Sequence, residues 1–342
     1  MTPASELALD REAIARLGEV QAHAQLQAFA RSTKIRIDRN EWRMLLCGTD
    51  LAHHDADPYL RENADALPVP VRLEDHAEFH CSLPDYDLCL EDSWSGYFVA
   101  RHVTTHASTE PLVFVHLDDH TDMMSTLLTL APDGLRDPSS GARFDPGQPD
   151  DWSSAIRSGT IGIGSFVTAL YYLRQPVHVV HLDHVTRSLY ERYPVTRRSF
   201  ACPLLRHARF AAIHKRTRAS SDQLGTYAHG CDPARLLRAM PAGRLIVHID
   251  LDYFINDYNG NAGATPASTV EQMRARAGES MQTFFDEITR TGRTVERWII
   301  ATSPGFCSAR HWNWLLDEIR RHIVTMKDRF SDTPFASDQS IR

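Results

Sequence analysis

The sequence predicts an α/β fold with a largely parallel sheet, because short apolar runs alternate with amphipathic helical segments after about residue 85. These runs are almost continuously apolar, which is typical of strands buried on both faces of a parallel sheet. At 342 residues, the chain is long enough for one large domain or two modest ones. Four strands are predicted, over residues 112–117, 177–182, 245–249 and 298–301.

Residues 1–85 predict a helical N-terminal extension, and residues 86–342 form the predicted main domain. Apolar residues at helical spacing indicate an amphipathic helix from residue 5 to about residue 32. A second, short helix is expected over residues 41–47, followed by a loop rich in proline and acidic residues.

Two long helices are predicted in the later part of the main domain. Ser268 and Glu271 match a capping box, and Gly292 provides a stop signal, so a helix is expected near residues 269–291. A further amphipathic helix is expected over residues 309–327.

Composition excludes several classes of protein. Lys and Arg total 37 against 44 Asp and Glu, and a formal charge of −7 argues against a nucleic-acid partner. The apolar runs are far shorter than the roughly 18 residues of a membrane span. The first residues lack the pattern of a secretory signal, so a cytoplasmic location is expected. Six cysteines without a CxxC pair indicate reduced thiols.

Acidic residues and a histidine follow two of the predicted strands, at the edge where open α/β sheets bind ligands. Asp118, His120 and Asp122 alternate after the first strand, and Asp250 and Asp252 follow the third. Four carboxylates at close range repel strongly unless cations lie between them, which indicates a metal site. Oxygen ligands with one imidazole suit manganese, and two bridged ions would support hydrolysis. The alternative is that Asp118 and Asp250 only cap the turns that follow them.

These motifs resemble the paired DxHxD and DxD signatures of the arginase and deacetylase superfamily. Further segments look like the branch that contains the bacterial peptide arginases. They are LEDS at residues 90–93, IGIGSFVTA at 161–169, DLDYF at 250–254 and SPGFC at 303–307. The resemblance covers about residues 86–325.

The resemblance implies a three-layer α/β/α sandwich and a manganese-dependent hydrolase. In this branch, arginine side chains of a ribosomally made precursor peptide become ornithine, with release of urea, by attack of a metal-bound hydroxide on the guanidinium carbon. Carried onto this chain, Asp118 and Asp250 would bridge two manganese ions. Asp122 would hold one ion, and His120 with Asp252 would hold the other. Asp118, His120 and Asp250 are the predicted catalytic residues, and a homo-oligomer is left open.

Three positions depart from the family pattern. Ser93 stands where the family usually has a further histidine ligand, so one ion instead of two is an alternative. Arginases carry a proton-shuttling histidine after DxHxD, but this chain has none between His120 and His178. Gly305 stands where related proteins often offer a carboxylate.

A guanidinium group needs a counter-charge, because an unpaired charge is expensive to remove from water. Glu91, Asp92 and Asp257 are the nearest carboxylates in the motif segments, and Ser93 and Ser303 complete the predicted substrate-binding set. A solvated turn is the alternative for Glu91 and Asp92.

Two alternatives to a peptide arginase stay open. A small-molecule ureohydrolase or amidohydrolase would need the same metal site. A noncatalytic peptide-binding homologue would have kept the fold and lost the chemistry. The N-terminal extension favours a peptide substrate.

Overall fold

A computed structural model of the chain describes residues 5–30, 33–54, 57–106, 108–138, 140–206, 209–258 and 268–331. Within these residues the protein is α/β, with a large mixed sheet, a small separate sheet and nine α-helices. No helix of the described segments has both the length and the apolar character needed to cross a bilayer.

The first 50 residues are not purely helical, which corrects the prediction. They form β1 (Glu6–Ala8), α1 (Arg11–Leu17), α2 (Glu19–Phe29), β2 (Thr33–Asp38) and β3 (Arg43–Thr49). The three strands make an antiparallel sheet in the order β1-β3-β2. Gly18, at φ 87°, separates the two helices that the sequence pattern had joined.

The predicted helix over residues 41–47 is wrong, because this segment contributes most of β3. Met44, Leu45 and Leu46 are buried in the middle strand of the small sheet. A short apolar run in a central strand cannot be distinguished from a buried helical turn by periodicity alone.

The large sheet has twelve strands in the order β4-β5-β15-β14-β6-β10-β13-β11-β12-β7-β8-β9. Their bounds are β4 His80–Ser82, β5 Asp87–Cys89, β6 Leu112–Leu117, β7 Thr129–Ala131, β8 Gly134–Arg136, β9 Arg143–Phe144, β10 Val177–Leu182, β11 Glu191–Phe200, β12 Phe210–Lys215, β13 Gln223–Gly230, β14 Arg244–Asp250 and β15 Arg297–Ala301. All four predicted strands are confirmed, two with the predicted bounds and two within one residue at each end.

The sheet is only partly parallel, which corrects the expectation of a mainly parallel sheet. The six strands from β5 to β13 in the sheet order are parallel, whereas β4 and the strands beyond β13 pair antiparallel. The predicted strands all belong to the parallel centre. The flanking strands carry more exposed and charged residues, so they gave no continuous apolar signal.

Seven helices follow the small sheet. They are α3 Leu60–Ala64, α4 Trp94–Thr105, α5 Pro149–Ser158, α6 Phe166–Leu170, α7 Pro233–Arg238, α8 Val270–Arg290 and α9 Trp312–Ser331. The two predicted late helices are confirmed as α8 and α9. The capping box of α8 is formed by Thr269 and Gln272, one residue after the predicted pair.

The central strands divide the interior into two apolar clusters, because successive side chains of a strand point to opposite faces. In β6, Val113 and Val115 belong to one cluster, and Leu112 and Phe114 to the other. The first cluster includes residues of α7, α8 and α9, and the second includes residues of α4, α5 and α6. The carboxyl ends of these doubly buried strands carry the polar residues of the site.

Asp87 forms hydrogen bonds that connect β4, β5 and β15 at one edge of the sheet. Its fully buried carboxylate accepts hydrogen bonds from Arg297 Nε at 2.6 Å, Arg297 Nη2 at 2.5 Å, Arg101 Nη2 at 2.7 Å and Ser82 Oγ at 2.5 Å. Arg297 lies in β15 and Arg101 in α4. One side chain therefore links two strands and a helix to β5.

Asp87→Ala should destabilise the protein by about 2–4 kcal/mol, because the partly buried guanidinium groups of Arg297 and Arg101 lose their buried carboxylate partner. Urea unfolding followed by circular dichroism measures the change. Asp133→Ala is the control, since Asp133 forms an exposed pair with Arg136, and loss of an exposed pair should cost much less than loss of Asp87. Equal effects of the two substitutions would contradict the assigned role of Asp87.

Candidate metal centre

The carboxyl ends of β5, β15, β14 and β6 lie side by side, because these four strands are parallel neighbours in the sheet. A cavity of about 310 Å³ opens at this edge. Residues from all four strand ends line it, including Glu91, Asp92, His120, Asp122, Asp250 and Ser303.

Asp118 is the centre of the predicted ligand set. Three groups of donor atoms contain it, and within each group the atoms lie within 4.8 Å of one another. The groups are Asp118 with His120 and Asp252, Asp118 with Asp92 and Asp250, and Asp118 with His116 and Asp122. The structure therefore brings the five predicted ligands Asp118, His120, Asp122, Asp250 and Asp252 together, and adds Asp92 and His116.

Asp118 and Asp250 also cap the turns that follow them, as the alternative interpretation expected. Asp118 Oδ1 accepts the N–H of His120 at 2.6 Å, and Asp250 Oδ1 accepts the N–H of Asp252 at 3.3 Å. Each of these bonds uses one carboxylate oxygen. Asp118 Oδ2 stays buried without a hydrogen-bond partner among the described residues, so capping and metal binding are compatible.

Several buried donor atoms around Asp118 lack hydrogen-bond partners within the described segments. They are Asp92 Oδ1, Asp118 Oδ2, Asp122 Oδ2 and His116 Nε2. His116 Nε2 lies 3.4 Å from Asp118 Oδ2 and 3.5 Å from Asp122 Oδ2. Buried polar atoms without partners are costly. Carboxylate oxygens with one or two imidazoles form a donor set that fits a hard or borderline divalent cation such as Mn²⁺.

The electrostatics of the cluster also favour a divalent cation site. Burial, followed by the neighbouring carboxylates, raises the pKa values of Asp92, Asp122 and Asp250 well above their usual range. Burial and Asp252 raise the pKa of Asp118 to about 7. The carboxyl groups therefore retain protons at a pH where exposed ones are ionised, and a divalent cation could replace those protons.

His120 is the cationic partner of the cluster. Its Nδ1 lies 3.2 Å from Asp118 Oδ1 and 3.0 Å from Asp252 Oδ2. Burial lowers its pKa, but the hydrogen bonds to these two carboxylates outweigh burial and raise the pKa to about 11. An imidazolium thus stands where the sequence predicts an imidazole ligand, and metal binding there would release its proton.

Sequence reasoning missed His116 as a potential ligand. It lies two residues before Asp118 in β6, so the period-two geometry of a strand places both side chains on one face. Its neighbour in the parallel register is His248, and the two Nδ1 atoms are 2.9 Å apart. Burial lowers the pKa of His116 well below the usual value, so its Nε2 is available as a neutral donor. The HxDxHxD spacing was the signal that could have identified it.

Asp92 was predicted to bind substrate, but the structure places it against Asp118 and Asp250. Ser93, beside it, is buried at the start of α4, and its hydroxyl makes no hydrogen bond to the described residues. Asp92 and His116 are therefore the donors that the structure adds to the predicted set around Asp118.

Asp257 does not line the cavity, which corrects its predicted place in the substrate-binding set. Its carboxylate accepts the N–H of Ser308 at 2.8 Å and a hydrogen bond from Arg310 Nη2 at 2.9 Å, and it lies 3.3 Å from His311 Nε2. These contacts fix the segment after β15. Glu91 and Ser303, by contrast, both line the cavity.

Backbone strain is concentrated at the cavity. Among the described non-glycine residues, φ is positive at Asp122 (49°), Ser303 (53°) and Trp42 (53°), and the first two line the cavity. A left-handed conformation at such residues costs about 1–2 kcal/mol. Strain of this kind is typical of functional sites.

A side chain at position 305 would clash with the backbone of His53. The φ of Gly305 is 81°, and a Cβ atom there would lie 2.1 Å from the carbonyl oxygen of His53. The segment that carries His53 therefore occupies the space that a side chain at position 305 would need.

No protein-family model matches the chain, and no curated protein matches it either.

In the metal-free protein, the contribution of the buried carboxyl cluster to stability should fall as pH rises above about 4, the usual carboxyl pKa. In that range the carboxyl groups of the folded cluster, with their raised pKa values, bind more protons than they do in the unfolded chain, so their contribution to the free energy of unfolding falls. Asp250→Asn removes one of these groups. In EDTA it should therefore match the wild type near pH 4 and be more stable than the wild type at pH 7. Calorimetry across this pH range measures both proteins.

Asp183→Asn is the matched control, because Asp183 occupies the corresponding strand end after β10. Burial raises its pKa, but the contact with His229 and the hydrogen bond from the N–H of Thr186 outweigh burial and lower it. Its stabilising effect is present above the unfolded pKa and is lost as pH falls through the folded value. Asp183→Asn should therefore destabilise at pH 7, the opposite sign to Asp250→Asn. If both substitutions changed the stability at pH 7 in the same direction, the pKa directions assigned to Asp250 and Asp183 would be contradicted.

Mn²⁺ should stabilise the wild type by about 2.7 kcal/mol at a free concentration of 100 times its dissociation constant, since it binds only the folded site. Asp250→Asn should show less than half of this stabilisation at the same concentration. Thermal unfolding with a Mn²⁺ titration measures the difference, and equal stabilisation of both proteins would argue against a site at Asp250.

Proposed function

We propose that this chain is a manganese-dependent hydrolase that converts arginine side chains of a ribosomally made precursor peptide to ornithine and urea. The observation that carries the proposal is the set of buried, unpaired donors around Asp118, two of which belong to the cavity-lining residues Asp92 and Asp122. The DxHxD and DxD motifs supply five of the seven side chains in the groups around Asp118. We place the reaction in the cytoplasm.

We also propose a three-layer α/β/α arrangement for the main domain. The division of the core supports it, since α7, α8 and α9 contribute to one apolar cluster while α4, α5 and α6 contribute to the other. The parallel strands between them contribute side chains to both clusters.

The donor groups suggest how two ions would be held. His120 and Asp252 would hold one ion, and Asp122 with His116 or Asp92 would hold the other. Asp118, which belongs to all three groups, and Asp250 would complete the ligand set. When bound, such ions would supply an activated water molecule at neutral pH and neutralise the charge of the carboxylates.

The remaining cavity residues would position the substrate. Glu91 is a buried carboxylate in the cavity wall, and hydrogen bonding and ion pairing with His53 and His54 outweigh burial and keep its pKa below the usual value. It would therefore stay anionic and attract a cationic guanidinium. Met124, Ile163 and Phe306 give the cavity an apolar wall that would exclude bulk water and pack against the side-chain methylenes.

The cavity volume is consistent with one side chain of a peptide. About 310 Å³ lies at the lower end of the roughly 300–1,000 Å³ of typical ligand pockets. A free amino acid would also fit this volume. The experiment must therefore distinguish a peptide substrate from the free amino acid that a small-molecule ureohydrolase would use.

Mass spectrometry of arginine-containing peptides and of free arginine, each incubated with the Mn²⁺-loaded protein, tests the proposal. Each converted arginine loses the elements of cyanamide. We expect loss on peptide only, with at least about a hundredfold lower rate for Asp250→Asn, because an interaction that is needed in the transition state is removed. Asp133→Asn is the control, since Asp133 is exposed and outside the cavity.

The other outcomes decide against the peptide substrate. Conversion of free arginine alone would make the chain a small-molecule ureohydrolase. No conversion of either substrate, with Mn²⁺ shown to be bound, would refute guanidinium hydrolysis. Failure to bind Mn²⁺ at all would favour a noncatalytic peptide-binding protein.

A further inference from the structure

A second cluster of potential ligands lies in the wall of the same cavity and does not include Asp118. It consists of His53, His54 and Glu91, whose donor atoms lie within 4.8 Å of one another. None of the three belongs to the groups around Asp118. The two histidines come from the segment between β3 and α3, and Glu91 follows β5.

Both imidazoles point at one oxygen. His53 Nε2 lies 3.1 Å from Glu91 Oε1, and His54 Nε2 contacts the same oxygen more closely. The two rings are perpendicular, with centroids 4.6 Å apart, so their nitrogens converge on Glu91 from different directions. The exposed side-chain fractions are 16% for His53, 5% for His54 and 1% for Glu91. Three donors thus converge on a small volume that is mostly shielded from solvent.

The surrounding contacts hold this arrangement in place. Asp57, three residues after His54, accepts hydrogen bonds from Ser308 Oγ at 3.3 Å and from the N–H of Ala309. The Phe306 ring lies 5.9 Å from the His53 ring and 4.9 Å from the His120 ring, centroid to centroid. Phe306 therefore contacts one histidine of each cluster.

Charge favours a cation in this cluster. Glu91 supplies the negative charge of these three side chains, and a neutral imidazole can donate its N–H to a carboxylate. A dication held by the same three side chains would pair with this carboxylate, and metal bonds would replace the hydrogen bonds.

A third histidine beside the cluster has an unpaired nitrogen. His76 packs against His54 with ring centroids 5.7 Å apart, and its buried Nε2 has no hydrogen-bond partner in the described part of the chain. Burial, followed by the charge of His54, lowers the pKa of His76, so this ring is a neutral neighbour of the cluster.

We propose that His53, His54 and Glu91 form a separate site for a borderline divalent cation such as Zn²⁺. Two imidazoles and one glutamate are a typical zinc donor set, and a fourth position facing the cavity would be open to water or a ligand. The oxygen-rich cluster around Asp118 would instead favour a harder ion such as Mn²⁺. The cavity would then hold ions of two kinds, and with this cation bound Glu91 would no longer be free to pair with a guanidinium.

Metal analysis and Co²⁺ spectroscopy on the full-length protein test this site. Zn²⁺ stoichiometry is measured after dialysis, and Co²⁺ serves as the spectroscopic substitute for zinc. We expect the wild type to bind one more equivalent of Zn²⁺ than His54→Ala does. The visible Co²⁺ bands that are lost in His54→Ala should persist in Asp250→Asn. His23→Ala, which removes an exposed histidine, should behave as the wild type.

Glu91→Gln provides a second variant in case His54→Ala fails to fold, which circular dichroism without metal would show. It keeps the shape of the side chain and should weaken Zn²⁺ binding by at least about tenfold, because it removes the anionic ligand. Equal Zn²⁺ stoichiometry and affinity in the wild type, His54→Ala and Glu91→Gln would overturn the proposal. Loss of the Co²⁺ bands in Asp250→Asn alone would also overturn it, since the bands would then belong to the Asp118 cluster.

Discussion

Mutual repulsion among the buried carboxylates at the ends of β5, β6 and β14 is the constraint on which the rest of the site depends. Asp118 shares close groups with Asp92, Asp122, Asp250 and Asp252. The ion pairs of these carboxylates within the described segments are made with imidazoles, those of His116 and His120. Burial lowers the pKa of His116 and leaves it neutral, so His120 alone brings positive charge. Protons or divalent cations must therefore occupy the cluster, and this explains both the raised pKa values and the unpaired donors.

The parallel centre of the sheet could be predicted from the sequence because its strands are buried on both faces. A continuous apolar run that ends in Asp118 or Asp250 identifies both the strand and its functional end. The flanking antiparallel strands and the small sheet carry mixed surfaces, so their sequences resemble loops or helices. Two places show that sequence periodicity alone does not determine secondary structure. At Gly18 a positive φ interrupts the predicted helix, and β3 is a strand because it pairs with β1 and β2.

The site could be predicted where its residues are adjacent in sequence and not where they meet through the fold. DxHxD and DxD place five potential ligands by local geometry. The role of His116 could have been predicted only from the strand periodicity of β6, which its apolar neighbours concealed. The place of Asp92 in the site results from the sheet order, in which β5 lies two strands away from β14. His53 and His54 come from a segment without a recognisable motif. No local pattern relates them to Glu91, which is 38 and 37 residues away.

The segment before residue 85 is part of the site, so the predicted boundary between residues 85 and 86 does not separate an accessory extension from a complete active domain. Leu60, Leu67 and Val71 pack in the same apolar cluster as α8 and α9. Asp57 bonds to the segment after β15, and the carbonyl of His53 occupies the space beside Gly305. Without this segment, the cavity would lose its histidine-bearing wall and Glu91 would lose both imidazole partners. The carboxylate cluster and the wall that faces it are therefore one structural unit, built from two parts of the chain.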